Sequence, residues 1–104
     1  MKFIDNFLQE SKYVIDSIDT IQLRKIIDII KSIQKKRGRI FFLGVGGSAA
    51  NCSHAVNDFR KILGIECYTP VDNVSELTAR TNDEGWDTVF ARWLETSNLS
   101  NKDL

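Results

Sequence analysis

The sequence has one proline, one methionine and one histidine in 104 residues, and it carries no net formal charge, because fourteen basic side chains balance fourteen acidic ones. That balance argues against a nucleic-acid or membrane-surface role driven by bulk charge. The two cysteines, Cys52 and Cys67, are too few for a disulfide framework and lack the close spacing of a metal pair. Cys52 falls on an apolar helix stripe and Cys67 in a strand-like run, so both read as buried thiols. No apolar run approaches the length that spans a membrane. Met1-Lys2-Phe3-Ile4-Asp5 lacks the long uncharged stretch of a signal peptide. Together these absences predict a protein of the reducing cytoplasm, with no nucleic-acid and no membrane partner.

What is present is an ordinary globular composition, 42% hydrophobic and 27% charged, at a length that builds one core. Phe3, Ile4, Phe7, Leu8, Val14, Ile15 and Ile18 recur at three- and four-residue steps, which predicts an amphipathic helix over 3–18. Asp19 or Thr20 offers an N-cap to a second helix over 21–36. Its stripe is Leu23, Ile26, Ile27, Ile30 and Ile33, and Gly38 follows as a C-terminal stop. The basic run Lys35-Lys36-Arg37 with Arg39 reads as a solvated helix end, where cations favour the dipole.

Ile40 to Leu43 is uninterrupted apolar, the pattern of a parallel strand covered on both faces. A glycine-rich turn follows at 44–47, then a helix over 49–62 with Ser48 as its N-cap and Gly64 as its stop. Residues 65–68 read as a second strand closed by Pro70, 74–81 as a short helix, 82–85 as a break, and 86–97 as a last helix. Alternation from residue 39 onward predicts an α/β fold, a three-layer doubly wound parallel sheet of the flavodoxin or Rossmann kind, preceded by two helices. The expected division is a helical extension over 1–37 and the first part of the α/β domain over 38–104. Only two strands are visible, and two strands leave edges and apolar faces uncovered. The domain is therefore expected to be incomplete, with a third strand due where Lys102-Asp103-Leu104 ends the sequence.

The chemistry concentrates on the strand–turn–helix stretch 39–58. Free backbone N–H groups at such a turn suit phosphate or another anion. Along the helix, Cys52, Val56, Phe59 and Leu63 form a core-facing stripe, and Asn51, His54 and Asp58 a separate polar one. His54 and Asp58, at i and i+4, can meet on one surface below Ser48 and the glycines. A lone histidine with an aspartate one turn on also occurs as a solvated surface pair. The adjoining glycine turn favours a functional reading. Gly44-Val45-Gly46-Gly47-Ser48-Ala49 also fits a dinucleotide-binding pattern, with Glu66 at the distance of a ribose ligand. That alternative leaves His54 and Asp58 without a role.

Gly44-Val45-Gly46-Gly47-Ser48 with Asn51, His54 and Asp58 resembles the sugar isomerase (SIS) domain, and within it the phosphoheptose isomerases. Asp72-Asn73-Val74-Ser75-Glu76-Leu77-Thr78, Asn82-Asp83-Glu84-Gly85-Trp86 and Val89-Phe90-Ala91-Arg92 are similar to a second run of that family. The resemblance covers nearly all of the sequence but only about the first half of an SIS domain. It implies an aldose–ketose isomerase acting on sedoheptulose 7-phosphate, with Gly46, Gly47, Ser48, Asn51 and Asp83 at the sugar phosphate. Asp58 would be the base and His54 its partner. It implies no required cofactor, zinc as an option on His54 and Asp58, and a homo-oligomer packed through the N-terminal helices. A sugar-phosphate-binding module without catalysis is the alternative within the same family.

Two departures from the family pattern stand inside the site. Val45 replaces a frequent asparagine. Asp58 replaces a glutamate and retracts the carboxylate by roughly an ångström, a displacement that can cost about two orders of magnitude in rate. The resemblance also places the family's Ser/Thr phosphate loop, and a second acid–base histidine, beyond Leu104.

Overall fold

The computed structural model describes all 104 residues. Helices α1 (Lys2–Asp16) and α2 (Thr20–Lys36) lead into strand β1 (Arg39–Phe41), helix α3 (Gly47–Lys61) and strand β2 (Glu66–Tyr68). A 3-10 turn (Pro70–Asp72), helix α4 (Val74–Glu84), a second 3-10 turn (Trp86–Thr88) and helix α5 (Val89–Thr96) complete the chain.

The centre is a parallel β–α–β unit. Ile40 pairs with Cys67 between Arg39↔Glu66 and Phe41↔Tyr68. The core is Ile33, Ile40, Val56, Ile65 and Cys67, with Ile30, Phe42 and Phe59 against it. Phe42 meets Phe59 edge-on at 5.1 Å, a geometry that suits the aromatic quadrupole. Both cysteines are free and buried, as their surroundings predict. Burial, the largest influence, raises the Cys67 thiol above its ordinary pKa, because desolvation disfavours the thiolate. No helix is long and apolar enough to cross a membrane.

Leu104 adds to the sheet. Its N–H donates to the Arg39 carbonyl at 2.9 Å, and its carbonyl accepts from the Phe41 N–H at 2.8 Å. These two bonds form one parallel rung on the edge of β1 opposite β2. A third pairing therefore starts where the sequence places it.

Several boundaries differ from expectation. Strand β1 ends at Phe41, not Leu43: Phe42 donates to the Tyr68 carbonyl at 2.9 Å, and the backbone then leaves for the turn. Asp19 caps α2 through the Ile21 and Gln22 amides. Asn73 caps α4 through the Glu76 amide at 3.1 Å. Helix α4 runs through the expected break at 82–84 and stops only at Gly85, whose φ of 92° ends it.

The N-terminal helices keep most of their apolar faces outside the core. Of the predicted α2 stripe only Ile33 is buried and Ile30 half-buried, while Leu23, Ile26 and Ile27 are exposed. Helix α1 buries no residue at all. The 3.6-residue period fixes which face is apolar, but within this chain only the end of α2, at Ile30 and Ile33, meets the core. The radius of gyration is accordingly 17.3 Å, where a compact chain of this length would have about 13 Å.

Candidate functional site

The backbone leaves β1 and turns tightly over the first turn of α3. A Cβ on Gly44 would stand 2.7 Å from the Ser48 backbone and 2.8 Å from Cys52 Sγ, so no larger residue fits there. Gly46, at φ 63°, is the N-cap of α3, in the left-handed region that glycine adopts without strain. Ser48 was the expected cap. The helix instead begins two residues earlier, and the Ser48 N–H donates to the Val45 carbonyl at 3.2 Å. The N–H groups of Gly46, Gly47 and Ala49 make no backbone hydrogen bond. They are the free donors that a helix start presents to an anion.

The polar flank forms as the periodicity predicts. His54 Nε2 lies 3.2 Å from Asp58 Oδ2, with the two side chains 76% and 44% exposed. An exposed pair of this kind contributes at most about 1 kcal/mol to stability. Asn57 Nδ2 donates to the other carboxylate oxygen of Asp58 at 3.3 Å. Asn57 is the residue sequence reasoning missed, because adjacent positions do not share a helix face and periodicity gives no signal for them. Ser48 and Asn51 are both exposed, and their side chains are free of hydrogen bonds.

Asp83 is placed apart from this flank. It sits on the last turn of α4, exposed, accepting from Asn82 Nδ2 at 3.0 Å, and no hydrogen bond joins it to α3. On α3, Ser53 Oγ donates to Asp72 Oδ1, two residues before α4, at 2.5 Å. Arg60 and Arg80 are both engaged within the fold. Arg60 donates to the Cys67 carbonyl and lies over the Tyr68 ring. Arg80 bridges Glu76 and Glu84 and donates to Thr96.

His54 and Asp58 offer a metal two donors, and no third His, Cys, Asp or Glu joins them in a group able to hold an ion. A tetrahedral zinc ion there would need its remaining ligands from outside this chain. The dinucleotide alternative also lacks its geometry. Glu66 opens β2 opposite Arg39, at the end of the sheet away from the turn, and accepts from Tyr68 Oη at 2.8 Å.

Strand, glycine turn, helix and parallel return strand define an incomplete α/β domain with free backbone N–H groups in the turn at the carboxyl end of β1. No family model matches the chain. It is 33% identical over 102 residues to the phosphoheptose isomerase of Mycobacterium tuberculosis, covering 91% of this chain and 51% of that protein. It is 32% identical over 99 residues to the probable phosphoheptose isomerase of Thermoplasma volcanium, with 88% and 50% covered. Its fold matches the structure of phosphoheptose isomerase GmhA from Neisseria gonorrhoeae with a TM-score of 0.85 at 22% identity, over 98% of this chain and 55% of that one. The chain spans about half the length of the curated relatives it matches. The resemblance read from the glycine turn and the polar flank stands: the chain is phosphoheptose isomerase-like over most of its length.

Proposed function

We propose that this chain is the N-terminal portion of a phosphosugar aldose–ketose isomerase, acting on sedoheptulose 7-phosphate or a close relative. The observation that carries this reading is the 3.2 Å contact between His54 Nε2 and Asp58 Oδ2 on the flank below the free amides of the turn. Isomerisation through an enediol needs a base for the proton on the carbon next to the carbonyl, and an acid to move a proton between the oxygens. The Asp58 carboxylate takes the carbon-bound proton. His54 orients that carboxylate and exchanges a proton with the substrate oxygens. Gly46 and Gly47 amides, Ser48 Oγ and Asn51 bind the anionic and hydroxyl groups, and Asp83 comes to the substrate from α4.

A second reading, sugar-phosphate binding without catalysis, is favoured by one observation. The His54 and Asp58 side chains are 76% and 44% exposed, so nothing in this chain shields the carboxylate from water in the way that proton abstraction from carbon favours. Incubation with sedoheptulose 7-phosphate in deuterated water separates the readings. Deuterium entering the carbon next to the carbonyl, and ceasing to enter with Asp58→Ala, supports isomerisation. Saturable binding with no exchange supports the binding module. The absence of binding would overturn both.

A further inference from the structure

The outer edge of β2 carries an arrangement that the proposed reaction does not use. β1 and β2 form a two-stranded sheet, so one side of β2 has no neighbouring strand. The Tyr68 carbonyl accepts from the Phe42 N–H and therefore faces β1. Successive carbonyls along a strand point to opposite sides, which turns the Cys67 carbonyl, and the Cys67 N–H with it, to the outer edge. Cys67 is 0% exposed, and a carbonyl shielded from water has to find a donor within the protein. That donor is Arg60, on the last turn of α3, whose Nη1 donates to the Cys67 carbonyl at 3.2 Å.

Two further contacts hold the guanidinium there. It lies over the Tyr68 ring, 5.4 Å from the centroid, a favourable place for a cation. Tyr68 is itself fixed, its Oη donating to Glu66 Oε1 at 2.8 Å. Arg60 therefore takes the position at which the N–H of an added strand would meet β2. Unpaired strand edges are templates for pairing with another chain, and a charge placed on the edge is one of the devices that prevent it. The partner this edge fits is its own copy. Two β2 strands set antiparallel about a twofold axis at Cys67 would place each Glu66 opposite the other copy's Tyr68, and those two side-chain types already bond one another within the chain. The same axis would bring two Arg60 guanidiniums to neighbouring carbonyls, and like charges so opposed are destabilising.

We infer that Arg60 closes the outer edge of β2 against strand pairing with a second copy of this chain. Sedimentation of the full chain tests it in a Phe7→Glu, Ile26→Glu background, which separates this edge from the exposed faces of α1 and α2. Relative to that background, Arg60→Ala should shift toward dimers and larger species as concentration rises, with amide exchange at Cys67 slowing in step. Arg60→Lys, which keeps a charge on the edge, should sediment as the background does. Arg60→Met keeps a long side chain beside Tyr68 without charge or donor. It should behave as Arg60→Ala does, and it decides the matter where circular dichroism shows Arg60→Ala unfolded. Sedimentation unchanged from the background in folded Arg60→Ala or Arg60→Met would overturn the proposal. So would association that leaves Cys67 exchange unaltered, because the contact would then lie elsewhere on the surface.

Discussion

Arg39 and Asp103, 64 positions apart, are joined by three hydrogen bonds from one residue to one carboxylate. The Arg39 backbone N–H and Nε donate to Oδ1 at 2.9 and 3.3 Å, and Nη2 donates to Oδ2 at 2.8 Å. The guanidinium also donates to the Ser97 and Asn98 carbonyls, and the Ser100 N–H donates to the carboxylate from the other side. This cluster fastens 97–104 to the start of β1 and sets Leu104 at its rung.

Removing one partner of a part-buried, multiply bonded pair loses hydrogen bonds to a charged group, which contribute about 1.5–3 kcal/mol. Asp103 is 5% exposed and Arg39 24%. Asp103→Ala should therefore lower the urea midpoint steeply at neutral pH. A midpoint within experimental error of wild type would show that the cluster contributes nothing to stability.

The same pair predicts an acid dependence. The Arg39 hydrogen bonds, the largest cause, hold the Asp103 carboxyl well below the usual carboxylate range. The unfolded chain, with an ordinary carboxylate pKa of about 3.9, then binds more protons than the folded one, so stability rises with pH. The contribution is complete above the unfolded value and is lost as pH falls from there toward the folded one. Thermal midpoints measured from pH 6 downward should fall in wild type below about pH 4 more steeply than in Asp103→Asn. Parallel curves would remove Asp103 from the acid response.

Gly44→Ala should damage the turn from within. Its methyl group meets the Ser48 backbone and Cys52 Sγ inside van der Waals distance, and overpacking of that kind costs about 1–3 kcal/mol. The expected outcome is a lower melting temperature together with weaker phosphate binding. A variant that melts lower yet binds phosphate normally would show that the turn can shift without losing its donors.

Asp58→Glu tests the shortened carboxylate. If the side chain stops short of the reacting carbon, the extra methylene should raise the rate of deuterium entry into sedoheptulose 7-phosphate, by up to about a hundredfold. A slower variant would mean that the 3.2 Å contact with His54 already sets the working geometry.

Phe3, Ile4, Phe7 and Leu8 on α1, and Ile26 and Ile27 on α2, remain open to solvent. Contiguous apolar surface on this scale marks an interaction site. Sedimentation should show species larger than the 11.9 kDa chain, and Phe7→Glu with Ile26→Glu should shift them toward the single chain. An unchanged distribution would place any association elsewhere on the surface.

Local pattern made much of this fold legible. The polar flank followed from helical spacing alone, and Cys52 and Val56 are buried where the stripe puts them. The α1 and α2 stripes were equally legible as faces. Their burial was not, since periodicity identifies a face and says nothing of what covers it. Arg39 was misread as part of a solvated helix end, because its partner lies far along the chain and neither residue has a periodic signal. The α4 boundary was missed for a related reason. Asn82 and Asp83 are poor helix formers, yet the helix tolerates them until Gly85 imposes its positive φ.

The Leu104 rung has a consequence for the order in which the fold assembles. Pairing Ile40 with Cys67 closes a loop of about 27 residues, and reaching Leu104 from that pair closes one of about 37, so the second step costs only about 0.3 kcal/mol more in chain entropy. That small difference is met by the Arg39–Asp103 cluster, while the first step has the apolar core behind it. The β–α–β unit should therefore form early, with the last eight residues docking as a later, separately reversible event. Amide exchange at Phe41 would report it: its N–H is sealed by Leu104 alone, and should open more often than the N–H groups that face β2.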